Sequence, residues 1–348
     1  MKKTLAIMMT AVLSMSVLFG CSGKAATETK AAETTAETEA ETTEGGTLKT
    51  GLSVITSLSG ENASEEKEGV AQTDVAVVAV TVTEDGVIES CEIDAVQAKI
   101  QFTTAGELTN ADAEFLSKNE LGEEYGMKKF SEIGKEWNEQ AEAMATYAEG
   151  KTLDEIKNGA IDESGYAKDE DLASSATINL YGFINGIEEA VNNATDMGAS
   201  VGDELKLVTV TNAKKSSSAT AEEDGTAQAY THVAAITMNG ETITSCYIDA
   251  VQANITFNAK GEITSDLGAE VLTKNQIGAD YGMASVSSIG KEWNEQAAAF
   301  CEYVTGKTVA EVTGIAVNEN GAPADEDLAS SVTIGIGNFT ALIEKAAQ

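Results

Sequence analysis

Oxygen-bearing side chains are concentrated in the segment DEDLASSATINL, which covers residues 169–180 and leads into an apolar run. Asp171, Ser174, Ser175 and Thr177 bring four such side chains into seven positions. Side chains of these types accept hydrogen bonds from the free N–H groups at a helix start, and acidic residues there complement the helix dipole. A helix cap is therefore the simplest interpretation of the segment.

The same residue types occur a second time, in the segment DEDLASSVTI at residues 325–334. The side chains that match those of the first segment are Asp327, Ser330, Ser331 and Thr333. A single N-cap oxygen satisfies one or two donors, so each segment has more hydroxyl groups than a cap uses. N–H groups at a helix N-terminus also bind phosphate. The last hydroxyl of each segment, on Thr177 and Thr333, is therefore a candidate for covalent attachment of a phosphate-bearing cofactor.

These segments belong to an internal duplication that covers most of the chain. The nonapeptide IGKEWNEQA occurs unchanged at residues 133–141 and 289–297. Other matches, such as SCEIDAVQAKIQF with SCYIDAVQANITF, have an offset of 155 residues early in the repeat and 156 later. A period of this length fits whole domains rather than a solenoid. We therefore predict two similar domains, at residues 48–198 and 199–348.

Each predicted domain opens with strand-like runs. In the first domain, VAVVAVTV at residues 75–82, the turn EDG and VIESCEIDAV at residues 87–96 predict a hairpin, with AKIQF at residues 98–102 as a third strand. The second domain repeats the pattern with THVAAITM and TITSCYIDAV. The threonine segments follow these strands in the sequence. Their positions therefore depend on the helices that come after the strands.

Apolar residues at helical spacing predict a helix from about Ser131 to Glu149. A second helix is predicted to start close to Thr177 and to direct Ile178, Phe183, Ile187 and Val191 to the core. Strands followed by helices predict an α+β fold with two tandem similar domains, each a mainly antiparallel sheet packed with helices.

Residues 1–20 have a basic start and an apolar run too short to span a bilayer, which predicts an export signal peptide. The boundary LFGC resembles a bacterial lipobox, which implies that Cys21 becomes the lipidated N-terminus. Residues 21–47 consist almost wholly of Ala, Thr, Glu, Gly and Lys, which predicts a solvated tether. The protein is therefore expected on the extracellular face of the cell membrane, held by a lipid anchor.

The composition restricts the function further. With 57 acidic and 22 basic residues, the formal net charge is −35, so nucleic acid is not an expected partner. The cysteines have no zinc or CxxC spacing, and Cys91 and Cys246 are expected to be buried small hydrophobic residues. His232 is the single histidine, and its strand-like surroundings favour a structural role over a catalytic one.

DLASSAT at residues 171–177 and DLASSVT at residues 327–333 resemble the flavinylation motif of FMN-binding domains. In that family the last hydroxyl residue receives FMN through a phosphoester, which a dedicated flavin transferase forms. The resemblance implies two covalent FMN groups, on Thr177 and Thr333, with Asp171 and Asp327 required for recognition by the transferase. Val332 stands where the first copy has Ala176, a departure within the second motif.

The whole layout resembles the flavinylated extracellular electron-transfer lipoproteins of Gram-positive bacteria. That resemblance implies a carrier that relays electrons from a membrane NADH dehydrogenase and quinone pool to extracellular acceptors. FMN would supply the redox chemistry, so an electron carrier is expected rather than an enzyme with its own substrate. No catalytic residue and no metal site are predicted.

Other residues at matching positions are weaker candidates. The aromatic residues Trp137, Trp293, Tyr125 and Tyr281 could stack on an isoalloxazine ring, although a core role explains them too. Lys118 and Asn119, with Lys274 and Asn275, could meet a phosphate or a flavin carbonyl, although a solvated loop would also explain them.

Two alternative functions remain open at the sequence level. The first is a non-redox cell-surface binding or interaction lipoprotein whose Ser/Thr segments are helix caps. The second is a solute-binding lipoprotein for a transporter, which is disfavoured because two similar domains with one site each do not resemble two lobes closing on one ligand.

Overall fold

Long antiparallel strands form the centre of the computed structural model, which describes residues 46–348. The strands in this range are β1 (Thr47–Glu61), β2 (Gly69–Val82), β3 (Ile88–Phe102), β4 (Glu114–Phe115), β5 (Thr195–Ser200), β6 (Glu204–Asn212), β7 (Gly225–Asn239) and β8 (Thr242–Phe257). They form two four-stranded sheets, with strand orders β3-β2-β1-β5 and β4-β6-β7-β8. The predicted signal peptide, Cys21 and all but the last residues of the tether lie outside the described residues.

Helices surround the sheets in both copies of the repeat. Within the same residues they are α1 (Lys118–Leu121), α2 (Trp137–Ala148), α3 (Leu153–Gly159), α4 (Glu170–Ala173), α5 (Tyr181–Asn192), α6 (Lys274–Ile277), α7 (Trp293–Val304), α8 (Val309–Thr313), α9 (Glu326–Ala329) and α10 (Gly337–Ala346). The predicted α+β class is therefore confirmed, with antiparallel sheets packed against helices. We use "first half" for residues 46–198 and "second half" for residues 199–348.

The two sheets pack face to face. β1 lies over β8, β2 over β7 and β3 over β6. Side chains such as Val77 and Ala79 meet Val233 and Ala235 between the sheets, and all four are fully buried. The other face of each sheet is covered by helices, α2 and α5 on the first and α7 and α10 on the second. The result is four layers in the order helices, sheet, sheet, helices.

Burial on both faces explains the nearly continuous apolar run of β2. Val77 and Ala79 contact the second sheet, whereas Val78 and Val80 contact the helices of the first half. A strand with only one buried face would instead alternate apolar and polar residues. The same argument applies to β7 in the second half. The two halves belong to one compact unit.

The strand predictions are confirmed in part. The β2–β3 hairpin forms, with Gly86 at φ 81° in its turn. AKIQF does not form a third strand, because β3 continues without interruption to Phe102. β1 was not predicted, and it fills that place beside β2, with Leu52 opposite Ala79. β5 covers the predicted boundary at residue 198 and pairs with β1.

Both predicted helices start later than expected. α2 begins at Trp137 because Glu136 is its N-cap, paired with Glu139 in a capping box, and Gly134 at φ 65° turns the chain before it. α5 begins at Tyr181, four residues after Thr177. Among the residues 46–348, no helix combines the length and the hydropathy that a membrane crossing requires.

Two phenylalanines join the halves at one end of the sheets. The rings of Phe102 and Phe257 stack with centroids 4.2 Å apart and planes 5° apart, and both are fully buried. Gly69 and Gly225 make room for them, since a Cβ at Gly69 would lie 2.3 Å from the Phe102 ring and one at Gly225 would lie 2.6 Å from the Phe257 ring. The stack therefore ties the hairpin of each half to the other.

Replacement of Phe102 by Ala should lower the free energy of unfolding by about 3–5 kcal/mol, because it removes a fully buried ring and leaves a cavity. Phe257→Ala should have a similar effect, and the double variant should lose less than the sum because the rings contact each other. Urea denaturation measures all three. Phe130→Ala, at a ring that is 88% exposed, is the control and should leave stability nearly unchanged. Additive losses in the double variant would contradict the stack.

Candidate functional site

The helix cap in each threonine segment is made by the first aspartate of DEDL. Asp169 Oδ1 accepts hydrogen bonds from the N–H groups of Asp171 and Leu172, at 3.1 and 3.0 Å. These bonds start α4, which has only four residues. In the second half Asp325 caps α9 in the same way. The carboxylate of Asp171 is therefore not needed as the cap, and this residue is exposed.

The serine hydroxyls lie at the end of these short helices rather than at their start. Ser174 Oγ donates to the carbonyl of Asp171 at 2.7 Å, and Ser330 Oγ donates to that of Asp327 at the same distance. Ser331 Oγ donates to the carbonyl of Leu328 at 3.2 Å. Ser175 Oγ lies 3.5 Å from Ser174 Oγ. Three of the four serine hydroxyls thus donate to nearby backbone carbonyls, which gives them a structural role although they are not needed for the cap.

Thr177 lies in the link between α4 and α5, not at a helix N-terminus. Its N–H donates to Gln140 Oε1 at 2.8 Å, and the N–H of Ile178 donates to the same oxygen at 3.3 Å. The expectation that Thr177 stands among free N–H groups at a long helix start is therefore wrong. The N–H groups on either side of its Cα are taken by a buried amide oxygen.

Thr333 has the same environment in the second half. Its N–H donates to Gln296 Oε1 at 2.8 Å, and the N–H of Ile334 donates at 3.3 Å. The hydroxyl bonds to the glutamine oxygens are longer, at 3.4 Å from Thr177 Oγ1 and 3.2 Å from Thr333 Oγ1. The backbone is thus held firmly at both threonines, whereas each hydroxyl is held weakly.

Gln140 and Gln296 belong to the candidate sites but were not predicted from the sequence. Each is fully buried on the helix that begins with Trp137 or Trp293. Their amide nitrogens donate in turn, Gln140 Nε2 to the carbonyl of Lys135 at 3.3 Å and Gln296 Nε2 to that of Lys291 at 3.0 Å. These bonds orient each amide so that its oxygen faces the threonine. A polar residue at a core position of the unchanged nonapeptide was the available signal.

A cleft of about 530 Å³ opens beside Thr177. This volume lies in the range of about 300–1,000 Å³ that is usual for ligand pockets. The residues that line it are Met127, Phe130, Ser131, Glu132, Gln140, Tyr166, Ala167, Ala173, Ala176, Thr177 and Ile178. Phe130 is 88% exposed and Tyr166 is 49% exposed. Two aromatic rings with open faces therefore stand in the same cleft as the threonine.

Asp171 and Ser175 face a different cleft. It has a volume of about 370 Å³, and Lys135 and Tyr147 also line it. The segment therefore presents its threonine to one cleft and its aspartate and second serine to a neighbouring one. The structure places the predicted site residues on one short stretch of backbone but does not direct them to one point.

The positions that match Phe130 and Tyr166 carry smaller side chains in the second half. They are Val286, which is 83% exposed, and Ala322, which is 6% exposed. The threonine and its glutamine are therefore equivalent in the two halves, whereas the apolar side chains near them are not.

Lysine side chains of this chain lie over the rings of the other aromatic candidates. The Nζ of Lys118 lies 4.6 Å from the centroid of the Trp137 ring, and that of Lys274 lies 4.8 Å from the centroid of Trp293. Lys274 Nζ also donates to Tyr230 Oη at 2.6 Å. Only 3% of Lys274 is exposed, and burial lowers its pKa to about 8. A solvated loop does not describe this lysine, and the tryptophans belong to the core.

The neighbouring asparagines are also committed to the fold. Asn119 Nδ2 donates to the carbonyl of Ile93 at 3.0 Å, and its N–H donates to Asp94 Oδ1 at 3.0 Å. Asn275 makes the equivalent bonds in the second half. Burial raises the pKa of Asp94 to about 6 in spite of these bonds. The asparagines therefore fasten α1 and α6 to the sheets.

His232 lies within β7, as its strand-like surroundings predicted, and is 3% exposed. Its ring packs 4.2 Å from that of Tyr230, and burial together with the charge of Lys274 lowers its pKa to about 3. The imidazole is therefore neutral at physiological pH and packs as a core side chain.

Among residues 46–348, no group of three or more His, Cys, Asp or Glu side chains is placed to hold a metal ion. Comparison of the chain with protein-family models, with curated proteins and with solved structures gave no match.

Replacement of Gln140 by Ala should lower the free energy of unfolding by about 1–3 kcal/mol, because it removes the acceptor of two backbone N–H groups. Gln296→Ala should cost a similar amount, since Gln296 makes the same bonds. Glu132→Ala, at an exposed side chain beside the same cleft, is the control and should change stability by less than about 0.5 kcal/mol. Urea denaturation measures the three variants. Equal stability of Gln140→Ala and the unaltered protein would contradict the anchoring role.

Proposed function

We propose that this protein is a membrane-anchored extracellular electron carrier with two covalent FMN groups, one on Thr177 and one on Thr333. The observation that carries the proposal is the equivalent presentation of the two threonines. In each half a buried glutamine fixes the backbone of the threonine while its hydroxyl keeps only a long hydrogen bond.

The environment of the hydroxyl suits formation of a phosphoester. In that reaction the threonine oxygen bonds to the phosphorus of the transferase's flavin donor while the bond from that phosphorus to the donor's leaving group breaks, and the leaving group takes up the threonine proton. The oxygen must therefore be reachable and its position must be defined. A bond of 3.4 Å at Thr177, or 3.2 Å at Thr333, is given up at little cost. Asp171 and Asp327 are exposed on the adjacent short helices, where a flavin transferase can contact them.

The cleft beside Thr177 suits the ring system of the flavin. Phe130 and Tyr166 offer exposed aromatic faces, and offset stacking of aromatic rings is favourable. FMN supplies the redox chemistry when it is bound. The residues of this chain hold its phosphate at the threonine and shelter the ring.

The charge of the chain favours a covalent link over simple binding. A protein with a formal net charge of −35 repels an anionic flavin phosphate, so a reversible complex would be weak. A phosphoester keeps the cofactor in place against this repulsion and against dilution outside the cell.

The partners follow from the same proposal. A flavin transferase matures the protein, a membrane NADH dehydrogenase and its quinone pool supply electrons, and an extracellular acceptor receives them. Cys21 carries the lipid that anchors the chain, and residues 21–47 act as the tether between membrane and fold.

A second candidate is a non-redox cell-surface binding lipoprotein. Asp169 and Asp325 cap their helices and the serines bond to nearby carbonyls, which are roles that need no cofactor. The weak hold on both threonine hydroxyls favours the flavin carrier over this alternative.

The lipoprotein purified from its native membrane should carry two FMN groups by intact mass, and peptide mapping should place them on Thr177 and Thr333. Thr177→Ala and Thr333→Ala should each remove one group, because no other hydroxyl replaces the one that is lost. Thr177→Ser keeps the hydroxyl and is the matched control that should retain the flavin. An unmodified polypeptide from cells that contain a flavin transferase would contradict the proposal and favour the surface-binding alternative.

The two flavins should differ in their exposure to a neutral quencher. In the Thr333→Ala background the remaining flavin, on Thr177, should be quenched less by acrylamide than the flavin of the Thr177→Ala variant, because Phe130 and Tyr166 shelter it. The double substitution of Phe130→Val and Tyr166→Ala gives the first half the side chains of the second half. It should raise the quenching constant of the flavin on Thr177. Equal constants at both sites would contradict the sheltering role without affecting the attachment.

A further inference from the structure

A pair of equivalent pockets lies between the glutamine helices and the strands that they cover. One pocket, of about 350 Å³, is lined mainly by β3 and α2, and the other, of about 340 Å³, is lined mainly by β8 and α7. Cys91 and Cys246 occupy matching positions in the two strands, as Asn138 and Asn294 do in the two helices. Neither pocket includes the threonine segments, so the proposed flavin sites do not account for them.

The two pockets have different chemistry. In the first half Glu92, Glu142 and Glu149 line the pocket, and burial together with the charge of Glu149 raises the pKa of Glu92 to about 7. In the second half the lining includes Met197 and a second cysteine, Cys301. The position that matches Cys301 in the first half is Ala145, so Cys91 has no thiol partner there.

Cys246 and Cys301 line one pocket from two different elements. Cys246 is 2% exposed on β8, and Cys301 is 7% exposed on α7. Both side chains line the same pocket, and a hydrogen bond with Cys301 together with burial raises the pKa of Cys246. Both cysteines are free in this structure. Two thiols from different elements thus share one pocket that is large enough for a small reagent.

We propose that Cys246 and Cys301 are a redox-active dithiol that closes to an intramolecular disulfide when a small organic disulfide enters the pocket. The more exposed thiol, of Cys301, attacks the reagent as a thiolate and releases one thiol while a mixed disulfide forms. Cys246 then attacks the mixed disulfide and releases the second thiol. The two cysteines are oxidised, the reagent is reduced to two thiols, and the two cysteine protons pass to the released thiolates.

Closure of the disulfide acts on the second half alone. Cys301 lies on α7, the same helix as Gln296, whose amide oxygen holds the backbone of Thr333. A covalent bond from Cys301 to Cys246 ties this helix to β8. The helix that anchors the threonine segment of the second half is then fixed by a disulfide, and the first half has no equivalent bond.

The test uses the full-length protein after reduction and removal of the reductant. The protein is treated with 2-hydroxyethyl disulfide, denatured in urea with N-ethylmaleimide and digested for peptide mapping of Cys91, Cys246 and Cys301. We expect maleimide on Cys91 and a direct cross-link between the peptides of Cys246 and Cys301. Cys301→Ala, which introduces the residue of the first half, should abolish the cross-link, and Cys91→Ala should leave it intact.

Two results would overturn the proposal. One is maleimide on all three cysteines after treatment, since the thiols would then not react. The other is a stable hydroxyethyl adduct on Cys246 or Cys301 without a cross-link, since the second thiol would then be unable to reach the first. Both readings come from the unaltered protein, so they do not depend on the folding of any variant, and they are independent of flavin attachment.

Discussion

Burial of the central strands on both faces is the constraint on which the rest of the structure depends. Because Val77 and Ala79 of β2 meet Val233 and Ala235 of β7, the helices can cover only the outer faces of the sheets. The helices that carry Gln140 and Gln296 therefore lie in opposite outer layers. The two threonine segments follow them, so each site is built almost wholly from its own half.

Within each half, a single buried amide connects the fold to the candidate site. A helix that packs on the sheet also supplies the acceptor for two N–H groups of the threonine segment. Unpaired N–H groups in a buried position are costly, so these two bonds to one oxygen fix the backbone of the segment. The threonine hydroxyl keeps only a long hydrogen bond to the same amide, which suits the proposed covalent attachment.

The α+β class, the hairpins and the duplicated segments could be predicted because apolar periodicity and internal repetition are local signals. β1 could not, since its sequence TLKTGLSVITSLSGE is rich in Gly, Ser and Thr and follows a low-complexity segment. The start of α2 depends on a capping glutamate, Glu136, that resembles any other acidic residue in sequence. Gln140 was missed because its position on the apolar face of α2 does not show which groups its amide would bond. Flavin attachment remains a prediction from the motif and its presentation.

The face-to-face arrangement of the sheets has a consequence for the origin of the chain. In the repeat, β6 and β8 are the counterparts of β1 and β3. β1 therefore packs over the counterpart of β3, and β3 packs over the counterpart of β1. A two-fold axis between identical subunits produces this exchange of positions. A single copy would expose the whole apolar inner face of its sheet to water, together with Phe102 or Phe257. An ancestor with one copy would therefore have needed to form a homodimer, and fusion of two genes would have made that dimer permanent. Two copies in one chain need not stay identical, so one half can keep aromatic rings and acidic residues where the other has valine, alanine and two cysteines.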